Sequence, residues 1–409
     1  MTLNPSVERS RADLYQSALS SRARLAPAGP QRPAPWAGRP VLYDFGGGRP
    51  DPESLPFVGI TRATAEVLEQ DGRAALTYGN VQGFEGLREL VAWKMEHREG
   101  LKVSPDEVFI TNGSSQALAL IADTFLDPGD LVIVEAPTFS GSLSIFRRRG
   151  AEVVGVPLDD EGLRTDDLER ILKGLAAQGK RPKFIYTIDY FQNPAGPSLS
   201  VERRRDLLRI AETYGTLVVE DEAYGDLRYD GDSPPSLYAL DEAGLVMRCS
   251  TLSKILAAGV RIGWILAPAE LLWPLMAMKQ DWGTSPFVSR VAAQFLRAHM
   301  DEHIAELRGV YRRKRDAMLV GLERGLGDTA HWSRPEGGFF VWLRLPAGTN
   351  PAKLMEGCVE RQISIVPGSA FFPDGSGQDH IRLAFSYAPV PAISEGIDKL
   401  VEAIRLARA

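Results

Sequence analysis

From Val108 onward the apolar residues fall into short runs rich in β-branched and aromatic side chains: Val108 to Thr111, Leu131 to Glu135, Glu152 to Val156, Lys183 to Ile188 and Thr216 to Glu220. Between them, segments such as Ala117 to Phe125, Leu168 to Leu175 and Arg203 to Tyr214 repeat their apolar positions with helical spacing. Strands alternating with helices predict parallel pairing through crossovers, with helices on both faces of the sheet. Leu245 to Cys249 and Ile262 to Ala267 add two more strands, so the expectation is an α/β fold built on a mostly parallel seven-stranded sheet. In such a sheet ligands gather at the carboxyl ends of the strands.

After about Pro286 the rhythm changes. A long, charged, helical stretch from Val288 to Leu326 leads to three strand-like runs, Phe339 to Leu345, Ile363 to Val366 and Ile381 to Phe385, with helices at Pro351 to Arg361 and Ala392 to Ala407. This predicts a smaller α+β C-terminal domain. Prolines 27, 30, 33, 35 and 40 make Ala26 to Pro40 an extended stretch. The expected division is an N-terminal arm over residues 1–60 that packs with the small domain and a partner subunit, a large domain over 61–290 and a small domain over 291–409.

Composition narrows the function classes. The 409 residues are 44% hydrophobic and 24% charged, which is ordinary for a globular protein. Lys and Arg number 47 against 53 Asp and Glu, a formal net charge of -6, so the chain as a whole has no electrostatic basis for gripping nucleic acid. No run of about 18 apolar residues appears, which argues against a membrane span. The first residues carry arginines where a signal peptide needs an apolar stretch. Two distant cysteines, Cys249 and Cys358, fit neither a zinc site nor a redox pair and point to a reducing, cytoplasmic setting.

Candidate chemistry lies at the strand ends. Lys254 sits among small and apolar residues directly after a buried-type strand; it either snorkels to solvent or has a depressed pKa suited to imine formation. Thr111-Asn112-Gly113-Ser114-Ser115-Gln116 follows a strand and opens a helix, either as a phosphate cradle or as a plain helix cap. Asp221 and Tyr224 close another strand, where an acid could face a protonated ring nitrogen or simply begin a solvated loop. Asn193-Pro194-Ala195-Gly196 ends a third strand and reads otherwise as a turn. Together these signals form a constellation that none of them makes alone.

At this point the sequence resembles a known family. Tyr78-Gly79 with Gly83 and Leu87-Arg88, then Gly113-Ser114-Ser115-Gln116, Asn193-Pro194-Ala195-Gly196, Asp221-Glu222-Ala223-Tyr224, Ser253-Lys254 with Arg261, and finally Arg382 are similar to the fold type I pyridoxal-phosphate-dependent aminotransferases of class I/II. Within these, the likeness is to the aminoadipate, kynurenine and broad-specificity branch. The resemblance implies the cofactor pyridoxal 5'-phosphate, held by Lys254 as an internal imine, and transfer of the α-amino group from an L-amino acid to a 2-oxo acid, 2-oxoglutarate foremost, by a ping-pong cycle. It implies that Asp221 pairs with the ring nitrogen, that Tyr224 and Asn193 bond the ring oxygen, and that Phe139 stacks on the ring. Ser114, Ser115, Ser253 and Arg261 hold the phosphate, with Thr251 donating beside them. Arg382 clasps the substrate carboxylate, helped by backbone near Gly48. It further implies a homodimer with shared active sites, each completed by Tyr78 of the other chain. Phe139 stands where many relatives carry tyrosine, so stacking survives and a hydroxyl contact is lost; Thr251 stands where many carry serine and still donates.

Other readings start from the same residues. The same scaffold supports a lyase, decarboxylase or oxidase, and similar domains act as non-catalytic sensing modules when fused to DNA-binding helices. His299-Met300-Asp301-Glu302-His303 fits a zinc-peptidase pattern, but it lies in a charged helical stretch without an evident third ligand, so no metal is expected. The basic runs Arg147-Arg148-Arg149 and Arg312-Arg313-Lys314 read as exposed helix charges.

Overall fold

The computed structural model describes residues 11–25 and 40–408. Most of the proline-rich stretch, residues 26–39, lies outside the described residues. The strands, in chain order, are β1 (Tyr43–Asp44), β2 (Val108–Thr111), β3 (Leu131–Ala136), β4 (Glu152–Asp159), β5 (Gly162–Leu163), β6 (Phe184–Thr187), β7 (Leu217–Glu222), β8 (Val246–Thr251) and β9 (Gly263–Leu266). They continue with β10 (His331–Trp332), β11 (Phe340–Arg344), β12 (Ile363–Ser364), β13 (Val366–Pro367) and β14 (His380–Ala384).

All seven expected strands form one sheet, and a two-residue eighth joins its edge, giving the order β2-β9-β8-β7-β6-β3-β4-β5. The added β5 is the return arm of a hairpin on β4, too short to leave a period-two signature in the sequence. Pairings from β8 through β7, β6 and β3 to β4 are parallel, whereas β9 runs antiparallel between β2 and β8. Consequently β2, β3, β6, β7 and β8 all deliver their carboxyl ends to one edge. Their side chains read as near-continuous apolar runs because helices cover both faces.

The C-terminal part carries a four-stranded antiparallel sheet in the order β10-β11-β14-β13. Ile363 to Val366, expected as one strand, is split: Ile363–Ser364 pairs with Tyr43–Asp44, and Val366–Pro367 turns to pair with β14. The β1 contact leads the chain directly into Gly46 to Asp51. The expected long helix is a single element, Pro286–Leu326, started by the Ser285 side chain accepting from the Val288 N–H at 3.3 Å and by proline in its first turn. It packs between the helices Phe57–Ala75 and Val390–Arg408.

Lys314 of that helix corrects the reading of its basic run as exposed. It is buried, and its Nζ donates to Asp51 Oδ1 at 2.8 Å and to the Ser386 carbonyl at 2.9 Å. Arg149 is likewise turned inward, onto Asp123 at 2.7 Å. A helix face that looks solvated in sequence becomes buried when a loop with a carboxylate is laid across it, which sequence periodicity cannot register.

The loop after β6 is held by a fully buried ion pair between Arg204 and Asp189. Arg204 also donates to the Leu199 carbonyl at 2.9 Å and the Asp189 carbonyl at 2.7 Å, and stacks on Tyr190 at 4.4 Å. Asp189→Ala strips the buried guanidinium of its directly bonded carboxylate and is expected to cost about 3–5 kcal/mol in equilibrium urea unfolding. A loss below about 1 kcal/mol would mean that water reaches Arg204.

Candidate active site

A cavity of about 280 Å³ lies at the common carboxyl edge of the strands, walled by Gly48, Ser114, Ser115, Phe139, Asn193, Asp221, Tyr224, Thr251, Ser253, Lys254, Arg261 and Arg382, with Phe340 beside them. Every site residue named from the sequence is therefore gathered here except Tyr78. That residue is 88% exposed on this chain, with its ring 6.3 Å from Trp282.

Each wall has a local cause. Gly113 caps the helix Ser114–Phe125 at φ +79 without a side-chain bond, so the first helical N–H groups are left for another acceptor. A Cβ on Gly113 would stand 2.6 Å from an Arg261 guanidinium nitrogen, which places that cation at the same turn. Beneath it, a Cβ on Gly263 would stand 2.7 Å from Ser114 N, so β9 can pass this close because it carries glycine there. Thr251 Oγ1 accepts from the Ser253 N–H at 3.1 Å and donates to the Ile262 carbonyl at 3.0 Å, fixing the turn that brings Lys254 out of β8.

Lys254 is largely buried, and its Nζ donates to the Gly48 carbonyl at 2.9 Å. Its ammonium lies 5.5 Å from the Tyr224 ring centre and 5.6 Å from that of Phe339. Burial, helped by the positive charge of Arg382, pushes its pKa down to about 8. The side chain is thus turned into the cavity, onto the Gly48 carbonyl. His303 supports the same loop by bonding the Ile255 carbonyl through its ring, while it packs edge-on to Phe295 at 5.6 Å.

Asp221 is enclosed. Tyr186 donates to its Oδ2 at 2.6 Å, and Oδ1 is buried with no hydrogen-bond partner. Burial raises its pKa to about 6, against the lowering pull of the Tyr186 hydroxyl. Arg382 donates to Asn193 Oδ1 at 2.9 Å and to the Gly46 carbonyl at 2.6 Å, and lies over the Phe340 and Phe371 rings at 4.2 and 4.8 Å. Burial lowers its pKa to about 10, which still leaves it charged at neutral pH.

Several supporting groups had no signal in the sequence. Gln192 donates to Glu135 Oε2 and to the Pro137 carbonyl, both at 2.8 Å, and accepts from the Ala195 N–H at 2.9 Å, which shapes the Asn193 to Gly196 turn. Glu135, also bonded by Thr187 at 2.6 Å, has its pKa pushed up to about 8 by burial. Arg49, close to the cavity loop, is paired with Asp44 and lies over Tyr387 at 3.9 Å. Phe340 could have been found from its place after Gly337-Gly338, where a close turn brings an aromatic pair to the site.

A buried amine of lowered pKa, a carboxylate with one unpaired oxygen, an uncapped helix start beside an arginine and a second, caged arginine fit a cofactor bearing an aldehyde, a basic ring nitrogen and a phosphate, together with a carboxylate substrate. They are the marks of a pyridoxal-phosphate site. Residues 44–404 match the family described as aminotransferase class I and II, and the chain belongs to that family.

It is 42% identical to the aromatic-amino-acid aminotransferase 1 of Thermococcus litoralis over 89% of this chain and 88% of that protein. Among solved structures, it is similar to the multiple substrate aminotransferase of Thermococcus profundus, with a TM-score of 0.91 and 40% identity over 96% and 98% of the two chains. The kynurenine aminotransferase of Pyrococcus horikoshii, solved with PMP, matches with a TM-score of 0.92 and 37% identity over 97% and 99%. The chain is thus a pyridoxal-phosphate-dependent aminotransferase. Among the described residues no helix is long and apolar enough to cross a membrane.

Proposed function

We propose that this enzyme passes the α-amino group of L-amino acids with large, partly apolar side chains to 2-oxoglutarate, using the residues of the 280 Å³ cavity. The observation that carries the reading is the pairing of a largely buried Lys254 with the half-satisfied Asp221 carboxylate at one sheet edge. The donor class follows the names of the relatives and the Phe340 ring on the cavity wall.

When bound, the cofactor supplies an aldehyde and a ring able to take up the electron pair released at the α-carbon. In this reading Lys254 Nζ would take up the α-proton of the substrate and hold it for return. Asp221, through its unpartnered Oδ1, would hold the protonated ring nitrogen, and Tyr224 and Asn193 would bond the ring oxygen. Phe139 covers one ring face. Ser114, Ser115, Ser253, Arg261 and the Thr251 hydroxyl take the phosphate. Arg382 grips the substrate carboxylate as a two-pronged donor, and the Gly48 loop closes the opposite side.

We read the enzyme as a cytoplasmic homodimer in which Tyr78 reaches the partner's phosphate. Its large exposure and aromatic contact with Trp282 support that placement, and the two buried, unpaired thiols suit a reducing compartment. The division into an arm at 1–60, a large domain at 61–290 and a small domain at 291–409 is part of the same reading.

The test is a panel of L-amino acids offered to cofactor-loaded protein, followed by 2-oxo acids. Loss of the visible cofactor band with the amino acid alone and its return with 2-oxoglutarate are expected. Release of ammonia or peroxide in place of that recovery would contradict the reading.

The lowered pKa of Lys254 gives a separate expectation. Only the neutral amine attacks an aldehyde, so cofactor uptake by the apoenzyme should rise about tenfold per pH unit below about 8 and level off above it. Stopped-flow absorbance measures this directly. A rise that continues to pH 10 would mean an ordinary, solvated lysine.

A further inference from the structure

The register of β6 and β7 pairs Tyr186 with Val219, and Asp221 stands two residues further along β7, on the same face as Val219. A tyrosine one step back from the strand end can therefore lay its ring along the sheet and bring its hydroxyl to that carboxylate. The Tyr186 hydroxyl reaches Asp221 Oδ2 at 2.6 Å, and the ring is fully buried. Phe146 holds the ring edge-on at 5.5 Å. On the other side the Ser142 hydroxyl lies against the same phenol, its single proton donated to the Phe139 carbonyl at 2.6 Å. Asp221 Oδ1 is left buried and without a partner.

We infer that Tyr186, backed by Ser142, is a positioning residue for Asp221: it occupies Oδ2 so that Oδ1 faces the ring nitrogen of the cofactor, and it ties that aim to the Phe139 turn. The inference rests on the assignment of Asp221 as the partner of that nitrogen. A carboxylate with both oxygens unpaired in a closed site could rotate and present either one. With Oδ2 fixed, one orientation remains. The hydroxyl also favours the ionised acid, which the site otherwise opposes through burial.

The other groups around Asp221 do not replace this bond. Glu222 on its own strand and Asp189 beyond β6 carry like charge and raise its pKa. Cys249 lies opposite on β8, Tyr224 lies beyond the strand end, and Lys254 supplies a favourable charge. Without the Tyr186 hydroxyl the carboxylate is protonated at higher pH, so the acid limb of the rate profile should move upward.

Tyr186→Phe removes the hydroxyl and keeps the ring. In the holoenzyme, cofactor dissociation measured by equilibrium dialysis is expected to weaken about tenfold. The absorption spectrum of the bound cofactor should change with pH, and the acid limb of kcat should rise by roughly half to one pH unit. Ser142→Ala should move the same readouts in the same direction by about two- to threefold. Wild-type affinity, spectrum and acid limb in both variants would overturn the inference, as would a lowered Tm with the limb unmoved. Should Tyr186→Phe fail to fold, the Ser142→Ala shift decides alone: its presence supports the inference and its absence overturns it. Asp221→Ala, measured in parallel, separates the two levels. If it too keeps wild-type affinity and spectrum, the assignment of Asp221 itself falls; if it loses them while Tyr186→Phe does not, only the role of Tyr186 falls.

Discussion

Lys254→Ala is expected to lose about 10⁴-fold or more in turnover while keeping its fold. The amine has no substitute nearby: among the described residues lining the cavity it is the one primary amine, able both to react with an aldehyde and to shuttle the α-proton. Half-reaction absorbance with an amino acid measures the loss, and retention of more than about a hundredth of the wild-type rate would remove Lys254 from the chemistry.

The same change has a stability consequence of opposite sign. Burial lowers this lysine from 10.5 to about 8, so at pH 7 the charged amine costs the folded apoenzyme roughly 3 kcal/mol relative to a solvated one. Between about pH 8 and 10.5 the unfolded chain binds the extra proton, and the wild-type apoenzyme gains stability as pH rises through that window. Lys254→Ala should therefore raise the apoenzyme Tm at pH 7 and lose this pH dependence. A catalytic group is kept at a cost in stability that the alanine variant removes.

The second large effect is expected for Arg382→Lys. The guanidinium presents a planar fork, bonded on one side to Asn193 and Gly46 and clasped by the Phe340 and Phe371 rings, with its Nε buried and unpartnered. An ammonium can neither bond a carboxylate through two parallel N–H groups nor fill the slot between the rings. We expect kcat/KM for amino acids to fall about 100-fold, carried mostly by KM, with cofactor affinity within about threefold of wild type. Unchanged KM for both amino and oxo acids would show that the substrate carboxylate is held elsewhere.

Much of this site was legible before any coordinates. The strand that precedes Lys254 is buried along its whole length, and a lone lysine among small and apolar residues directly after it stood out as a group either snorkelling or held in the site. The Gly113-Ser114-Ser115 turn carries its own evidence, since glycine supplies the positive φ and small residues leave the helix start open. Arg382 was harder. It lies on β14, far along the chain, and nothing local marks it as facing the cavity rather than solvent; the family resemblance supplied its role. Tyr186, Gln192, Glu135 and Lys314 were not legible. Each reads as an ordinary core or surface residue, because what makes it important is a partner on another strand or loop.

The chain's pattern by itself determined the alternation of strands and helices, and with it which segments end at the carboxyl edge of the sheet, because side-chain periodicity and turn chemistry act over a few neighbouring residues. Only the tertiary structure decided which buried charges are paired, how far Lys254 and Asp221 depart from their ordinary pKa values, and which oxygen of Asp221 is left free. Those properties depend on desolvation and on groups brought together from distant parts of the chain, and neither quantity is written in local sequence.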